Sequence, residues 1–158
     1  MIGLIVAVNP DGIIGKGNTI PWHYKADLAR FKRVTMDSTI IMGRATWESL
    51  PKKPLAGRRN VVVTSRARLG VAGVDCFASV EAALRSCTGN VWFIGGARIY
   101  AEAMRWCDVL DVTYVPDRVE GDDVVRMPPI DEALFEPGEK EPLEGEPAVY
   151  RRVWKRRR

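Results

Sequence analysis

The chain is poor in the residues that most often build metal sites and covalent frameworks. It has one histidine, His23, and three cysteines among 158 residues. One histidine argues against a histidine-based metal site and against a Ser-His-Asp triad. The cysteines, Cys76, Cys87 and Cys107, are odd in number and widely spaced, so we expect no disulfide framework, no metal site and a reducing, cytoplasmic environment. Every apolar run is far shorter than a membrane span, so we expect no membrane association.

Charge of one sign is not in large excess, because the formal net charge is only +4. Basic residues concentrate in the terminus Lys155–Arg158, which follows an acidic stretch at residues 131–146. We favour an acidic surface loop beside a basic final strand, with no nucleic-acid partner. The alternative is a basic nucleic-acid-binding arm, but Tyr150 and Trp154 alternate like ordinary strand residues and form no aromatic platform. The length predicts one domain over residues 1–158.

Short apolar runs alternate with helical patterns along the chain. We predict strands over residues 1–8, 39–42, 60–64, 76–77, 91–94, 109–115 and 148–155. We predict helices from about residue 25 and over residues 46–50, 80–85 and 97–105, with Ser79 as an N-cap. Residues 9–24 and 128–147 are predicted connections. Continuous apolar strands separated by helices indicate a largely parallel sheet covered on both faces, and such sheets bind ligands at the carboxyl ends of their strands.

Asp27 is the most informative single residue of the chain. It lies near the start of a predicted helix and shares a face with Leu28 and Phe31. A carboxylate on an apolar stripe needs a partner, because burial of a lone charge is strongly unfavourable. The sequence suggests no obvious local partner on that face. Two interpretations remain: an ordinary first-turn acid favoured by the helix dipole, or an acid whose partner is a ligand.

Cationic and small residues follow three of the predicted strands. They are Arg44, Arg66 and Arg98, the last preceded by the pair Gly95-Gly96. Guanidinium groups and helix N-termini both bind phosphate, so this pattern favours a dinucleotide with an extra phosphate, NADPH in preference to NADH. The glycine pair does not match the G-x-G-x-x-G fingerprint, and an ordinary tight turn with surface arginines remains the alternative.

Several longer motifs occur in a fixed order. They are Ile13-Ile14-Gly15, Pro21-Trp22, Asp27-Leu28 with Phe31-Lys32, Ile41-Met42-Gly43-Arg44 with Thr46-Trp47-Glu48-Ser49, Leu55 with Gly57-Arg58 and Asn60, Ile94-Gly95-Gly96 with Tyr100, Thr113, and Glu120-Gly121-Asp122. Taken together, they resemble dihydrofolate reductase of the bacterial chromosomal type. The resemblance runs from Met1 to about Val124, and after Asp122 it weakens to the length and a final strand.

The resemblance implies a fold and a reaction. The fold would be a single α/β domain with a central, mostly parallel mixed β-sheet of about eight strands, an antiparallel C-terminal strand and about four flanking helices. An adenosine-binding subdomain would span roughly residues 38–88. The reaction would be hydride transfer from NADPH to C6 of 7,8-dihydrofolate with protonation of N5, which supplies tetrahydrofolate for one-carbon metabolism and thymidylate synthesis. Antifolates of the 2,4-diaminopyrimidine or pteridine type would also bind, and the protein would be a monomer.

The resemblance also implies site residues by position. The catalytic group would be Asp27, Trp22, Tyr100 and Thr113. The substrate pocket would contain Ile5, Ala7, Asp27, Leu28, Phe31, Leu55, Arg58, Ile94 and Thr113. The cofactor would bind to Ala7, Ile14, Gly15, Asn18, Ile20, Gly43, Arg44, Ala45, Thr46, Thr64, Ser65, Arg66, Ile94, Gly95, Gly96, Ala97, Arg98, Ile99 and Tyr100. For each apolar member, ordinary core packing is the alternative.

Individual roles follow from the same resemblance. Asp27 would accept hydrogen bonds from the 2-amino group and N3 side of the pterin, orient it and favour its protonation, while solvent delivers the proton to N5. Thr113 would be its hydroxyl partner, and Trp22 would hold an ordered water nearby. Arg58 would pair with the α-carboxylate of the substrate. The Gly95–Gly96 peptide would be cis.

The chain departs from the family pattern at a few positions. Ala45 has no side-chain donor, so we expect the 2′-phosphate to depend more on Arg44, Ser65 and Arg66. Tyr24-Lys25 replaces the usual Leu-Pro before the helix, which predicts a looser hinge for the lid, residues 15–20, that would close over the nicotinamide. A rival in the same fold is a reductase acting on a pyrimidine intermediate of riboflavin synthesis, which the context of Asp27 argues against.

Overall fold

A mixed β-sheet forms the centre of the structure, a computed structural model that describes residues 1–66 and 69–158. Its strands, with those of a small second sheet, are β1 (Ile2–Val8), β2 (Ile13–Lys16), β3 (Thr39–Gly43), β4 (Arg59–Val63), β5 (Val74–Phe77), β6 (Val91–Gly95), β7 (Val109–Tyr114), β8 (Val124–Arg126), β9 (Phe135–Pro137), β10 (Glu141–Leu143) and β11 (Glu146–Arg156). The helices of the described ranges are α1 (Lys25–Thr35), α2 (Arg44–Ser49), α3 (Val80–Arg85), α4 (Ala97–Ala103) and a 3-10 turn at Met104–Trp106.

The main sheet has the order β10-β11-β7-β1-β6-β3-β4-β5, and β9 pairs with β11. All neighbours from β7 to β5 are parallel, whereas β11 is antiparallel to β7, β9 and β10. The separate pair β2–β8 is antiparallel. The predicted α/β fold, with a mostly parallel sheet of about eight strands, an antiparallel C-terminal strand and about four helices, is therefore confirmed in the described residues.

The parallel strands β1, β3, β4 and β6 are buried on both faces, which explains their largely continuous apolar runs. Successive side chains point to opposite faces, so Leu4 belongs to one apolar cluster and Ile5 to the other. The same division separates Ile41 from Ile40 in β3. The central sheet therefore separates two apolar cores, one on each face. The carboxyl ends of its parallel strands β1, β3, β4 and β6 lie at the same edge of the sheet.

Several predicted connections contain short strands. β2 lies within the predicted connection at residues 9–24, and β9 and β10 lie within the one at residues 128–147. Those predictions were wrong because strands of three or four residues carry little pattern of their own and are determined by their pairing partners, which are distant in sequence for β2 and adjacent for β10. α2 begins at Arg44, directly after β3, and not at residue 46. Ser79 is the N-cap of α3 as predicted, since its side chain accepts from the Ala82 N–H.

The basic C-terminus is used within the fold. Arg156 donates to the carbonyls of Cys107 at 2.8 Å and Met104 at 2.9 Å, beyond the end of α4. Arg157 donates to the Glu132 carbonyl at 3.0 Å and pairs with Glu136 at 3.3 Å. These contacts favour the basic final strand over a nucleic-acid-binding arm. None of the helices in the described ranges has the length and hydrophobicity needed to cross a membrane.

We expect Leu110→Ala to lower the free energy of unfolding by about 2–5 kcal/mol, because it removes a fully buried side chain from β7 and leaves a cavity. Leu134→Ala is the matched control, since Leu134 is 47% exposed, and its effect should stay within about 0.5 kcal/mol. Denaturant-induced unfolding measures both values. Equal losses would contradict the assignment of Leu110 to the core.

Candidate functional site

A cavity of about 940 Å³ lies at the carboxyl ends of the parallel strands. Its wall contains predicted substrate residues, namely Ile5, Ala7, Asp27, Leu28, Phe31 and Ile94. It contains predicted cofactor residues as well, namely Ala7, Ile14, Gly15, Asn18, Ile20, Gly43, Arg44, Ala45, Thr46, Thr64, Ser65, Ile94, Gly95, Gly96, Ala97, Arg98, Ile99 and Tyr100. We call the part of the cavity at Asp27 the acidic end and the part at Arg44, Thr64 and Arg98 the basic end.

Five predicted site residues lie outside the cavity wall: Trp22, Leu55, Arg58, Arg66 and Thr113. Thr113 lies behind the wall and is hydrogen-bonded to two of its members, Asp27 and Arg30. Leu55 packs against the apolar cluster that contains Ile5. Arg58 donates to the Ala56 carbonyl at 3.0 Å and to the Thr35 hydroxyl at 3.2 Å, and its partial burial lowers the pKa of its guanidinium.

Other residues of the wall were not assigned to a site from the sequence. They are Val6, Arg30, Ser49, Val63, Ala78, Ser79, Glu102 and Val125, whereas Gly17 and Thr19 of the wall belong to the predicted lid at residues 15–20. Ala78 and Ser79 follow β5, so the strand-end argument extended to this strand would have found them. Val125 carried no such signal, because only the β2–β8 pairing brings it to the cavity.

Asp27 lies in the first turn of α1, and its side chain is 20% exposed. Its Oδ1 accepts a hydrogen bond from the Thr113 hydroxyl at 2.8 Å and another from Arg30 Nη2 at 3.3 Å. The bond to Thr113 agrees with what the resemblance implies. In residues 1–66 and 69–158, no side chain donates to Oδ2. A carboxylate with one oxygen held by the protein and the other without a donor is able to bind a ligand with two N–H groups.

Arg30 corrects the prediction that Asp27 has no partner on its helix face. Arg30 is only 1% exposed, and its Nη1 donates to Asp111 Oδ1 at 2.6 Å. Its Nη2 also donates to the Thr113 hydroxyl. The signal was present in the sequence, because an acid and an arginine three residues apart on a helix are neighbours. Arginine is rarely buried, however, so the spacing alone indicated a surface pair.

The ion pairs continue beyond Arg30 into the C-terminal strands. Asp111, which is 2% exposed, also accepts from Arg151 Nη2 at 3.1 Å. Arg151 Nη1 in turn pairs with Glu141 at 3.3 Å. Desolvation of Asp111 is offset because two guanidinium groups donate to it. The acidic end of the cavity is therefore connected to β7, β11 and β10.

Tyr100 and the glycine pair form the wall between the two ends. The Tyr100 hydroxyl donates to the Ile5 carbonyl at 2.7 Å. Burial, with a smaller contribution from the negative charge of Asp27, raises the pKa of Tyr100 far above its usual range, so the phenol stays neutral. The Gly95–Gly96 peptide is cis, as predicted. Gly95 has φ 127°, which only glycine adopts readily.

The basic end contains two exposed ion pairs. Arg44 Nε donates to Glu48 Oε1 at 2.8 Å, and Arg98 Nε donates to Glu102 Oε1 at 3.4 Å. Exposed pairs of this kind contribute little to stability, so either guanidinium can turn towards an anion at small cost. The Thr64 hydroxyl accepts from the Arg66 N–H at 3.2 Å.

The segment before α1 is bound to a distant loop. The Tyr24 hydroxyl donates to Asp117 Oδ1, and Asn9 Nδ2 donates to the Asp117 carbonyl at 3.1 Å. The hydrogen bond to Asp117, followed by desolvation and the negative charge of Asp117, raises the pKa of Tyr24 to about 12. The prediction of a looser hinge did not include this contact, which ties Tyr24 to the loop at Asp117.

Comparisons with known proteins agree on one family. The sequence model of dihydrofolate reductase matches residues 1–154. The dihydrofolate reductase of Neisseria meningitidis serogroup A is 45% identical over 141 residues, covering 88% of this chain and 86% of the relative. The enzyme of Mycobacterium tuberculosis is 44% identical over 127 residues, covering 77% and 78%. A solved structure of dihydrofolate reductase from Enterococcus faecalis, complexed with NADP(H) and RAB-propyl, matches with a TM-score of 0.88 at 31% identity, covering 100% of this chain and 97% of that one.

Tyr24 gives a prediction about pH. Its folded-state pKa of about 12 exceeds the unfolded value of about 10, so its bond to Asp117 should stabilise fully below pH 10 and be lost as pH rises towards 12. Asp117→Ala should return the titration of Tyr24 towards about 10, as measured by tyrosinate absorbance with Tyr24→Phe identifying the signal. Asp122→Ala is the control and should leave the titration unchanged. A titration that Asp117→Ala does not move would contradict the contact.

Proposed function

Because this chain belongs to the dihydrofolate reductase family, we propose that its cavity reduces 7,8-dihydrofolate to 5,6,7,8-tetrahydrofolate, with NADPH as the hydride donor. One observation carries the assignment to this cavity: the Asp27 carboxylate lies on its wall with Oδ1 held by Thr113 and Arg30. The edge of the pterin that carries the 2-amino group and N3 offers two adjacent N–H donors. The free side of Asp27 matches that edge through charge-assisted hydrogen bonds.

The two ends of the cavity fit the two ligands. The basic end has the guanidinium groups of Arg44 and Arg98 and the hydroxyls of Thr64 and Ser65, which suit the phosphates of a dinucleotide. The glycine pair at residues 95–96 has no side chains, so a planar ring can approach the backbone closely. When bound, NADPH supplies the hydride. We further propose that residues 38–88 form an adenosine-binding subdomain.

Asp27 serves as the anchor of the substrate and not as the direct proton donor. Its carboxylate orients the pterin and favours protonation of the ring by its negative charge. Solvent delivers the proton to N5. Tyr100 is unsuited to donate a proton at neutral pH, because its phenol is buried and already donates to the Ile5 carbonyl. The lid at residues 15–20 excludes bulk water from the hydride path.

Further assignments complete the proposal. Arg58 binds the α-carboxylate of the substrate, for which its Nη2 is available beside the bonds to Ala56 and Thr35. Trp22, which is half-buried beside the lid, holds a water near the pterin. Diaminopyrimidine and pteridine antifolates bind at Asp27 in place of the substrate. The enzyme acts as a monomer in the cytoplasm, a compartment with which its three free cysteines are compatible.

The role of Asp27 is tested by Asp27→Asn. We expect turnover of dihydrofolate to fall by about two to three orders of magnitude, because the charged partner of the pterin is lost. NADPH binding, measured by fluorescence quenching, should be unchanged. Asp37→Asn is the control, since Asp37 is exposed just beyond α1 and outside the cavity wall. Near-normal activity of Asp27→Asn at neutral pH would refute the role, and a wild-type protein without dihydrofolate turnover would refute the function.

The role of Arg44 is tested by comparing how Arg44→Ala changes the binding of NADPH and of NADH. Arg44→Ala should weaken NADPH binding by about tenfold or more, because one charge-assisted bond to the 2′-phosphate is lost. NADH lacks that phosphate, so its dissociation constant should change little. Arg85→Ala is matched, because Arg85 also pairs with a glutamate four residues away but lies outside the cavity wall. Equal losses for both cofactors would mean that Arg44 does not bind the 2′-phosphate.

A further inference from the structure

Arg30 is a charged side chain buried in the wall at the acidic end of the cavity. At 1% exposure it is one of the largest fully buried side chains of the structure. Burial of a guanidinium is strongly unfavourable unless each N–H group finds an acceptor. Within the described ranges, however, Arg30 Nε is buried and has no hydrogen-bond partner. A buried cation with an unsatisfied N–H group contributes little to stability by itself. The residues that it contacts therefore indicate its role.

The contacts of Arg30 converge on the proposed anchor. Nη2 donates to Asp27 Oδ1 at 3.3 Å and also to the Thr113 hydroxyl, which itself donates to the same Oδ1 at 2.8 Å. Oδ1 therefore receives two hydrogen bonds, one of them from a group that Arg30 orients. This arrangement fixes the plane of the carboxylate and leaves Oδ2 for the ligand.

The guanidinium is itself held from the opposite side. Nη1 donates to Asp111 Oδ1 at 2.6 Å, and Asp111 is fixed by Arg151. Asp111 and Thr113 are two residues apart on β7 and so point to the same face of the sheet. One strand therefore supplies both the acceptor that holds Arg30 and the hydroxyl that connects Arg30 to Asp27.

We propose that Arg30 is a positioning residue for substrate reduction: it holds the Asp27 carboxylate in its ligand-binding orientation, directly and through Thr113, while Asp111 holds Arg30. This inference rests on the proposed role of Asp27. Although Arg30 lines the acidic end of the cavity, its guanidinium is engaged by Asp27, Asp111 and Thr113, so in this account it acts through the carboxylate. The substrate's affinity and the turnover rate both depend on that orientation, whereas the basic end of the cavity is independent of it.

A double-mutant cycle tests the coupling. Arg30→Met keeps an unbranched side chain but removes every donor, and it is compared in the wild-type and Asp27→Asn backgrounds. We expect about a tenfold rise in the dissociation constant for dihydrofolate, measured by calorimetry on the protein without cofactor, and less than about a twofold rise in the Asp27→Asn background. The kcat/KM of Arg30→Met should fall in parallel, with NADPH binding unchanged.

Two further variants separate positioning from structural support. Arg151→Met also removes a partner of Asp111 but leaves the contacts of Asp27 in place, so its dissociation constant for dihydrofolate should change less than about twofold. Arg30→Lys keeps the charge and should restore part of the affinity, but one ammonium cannot reproduce the forked contacts. If Arg30→Met does not fold, Arg30→Lys takes its place in the cycle, with an expected loss of about threefold that depends on Asp27.

The outcomes are distinct. Equal effects of Arg30→Met in both backgrounds, or equal effects of Arg30→Met and Arg151→Met on dihydrofolate binding, would overturn the positioning role while the wild-type turnover leaves the proposed function intact. If Arg30→Lys replaces Arg30→Met in the cycle, an unchanged dissociation constant for dihydrofolate in both backgrounds would likewise overturn the positioning role. A wild-type protein that neither binds nor reduces dihydrofolate would overturn the function and this inference together.

Discussion

The buried ion pair between Arg30 and Asp111 is the interaction on which the acidic end of the cavity depends. It joins α1 to β7 through two groups that are almost fully removed from water. Such a pair is sustained only where geometry and additional hydrogen bonds offset the desolvation of both charges. Here Arg151 and Thr113 provide those bonds. The position of Asp27 on the cavity wall follows from this packing, because Asp27 lies one turn before Arg30 on the same helix.

Much of the fold was predictable, because the pattern of a two-sided parallel sheet is strong. Continuous apolar runs such as the one in β3 have no polar face, and only a strand covered on both sides accommodates them. The short strands β8, β9 and β10 were not predictable, because three residues carry no period. Their existence is decided by pairing, with β2 for β8 and with β11 for β9 and β10, so their own residues hold little information about them.

The cavity wall was predictable where it is built from strand ends and unpredictable where it depends on long-range packing. Arg44 and Arg98 line the basic end because they directly follow β3 and closely follow β6. Arg30 was missed, since a buried arginine has the same local sequence as an exposed one. Its buried ion-pair partner, Asp111, is 81 residues away in the sequence. The contact of Tyr24 was likewise not predictable from the local sequence, because its acceptor Asp117 is 93 residues away.

The strand order gives the two ends of the cavity different structural support. The basic end is built on the parallel strands β3, β4 and β6, whereas the charges behind the acidic end extend through β7 to the antiparallel strands β11 and β10. Loss of the contact between Arg30 and Asp111 at β7 would thus disturb the proposed pterin-binding carboxylate, while the proposed dinucleotide-binding end, which has no part in these ion pairs, would keep its support. Mutations in the strands that support one end of the cavity can therefore change the affinity for one ligand while the affinity for the other stays the same.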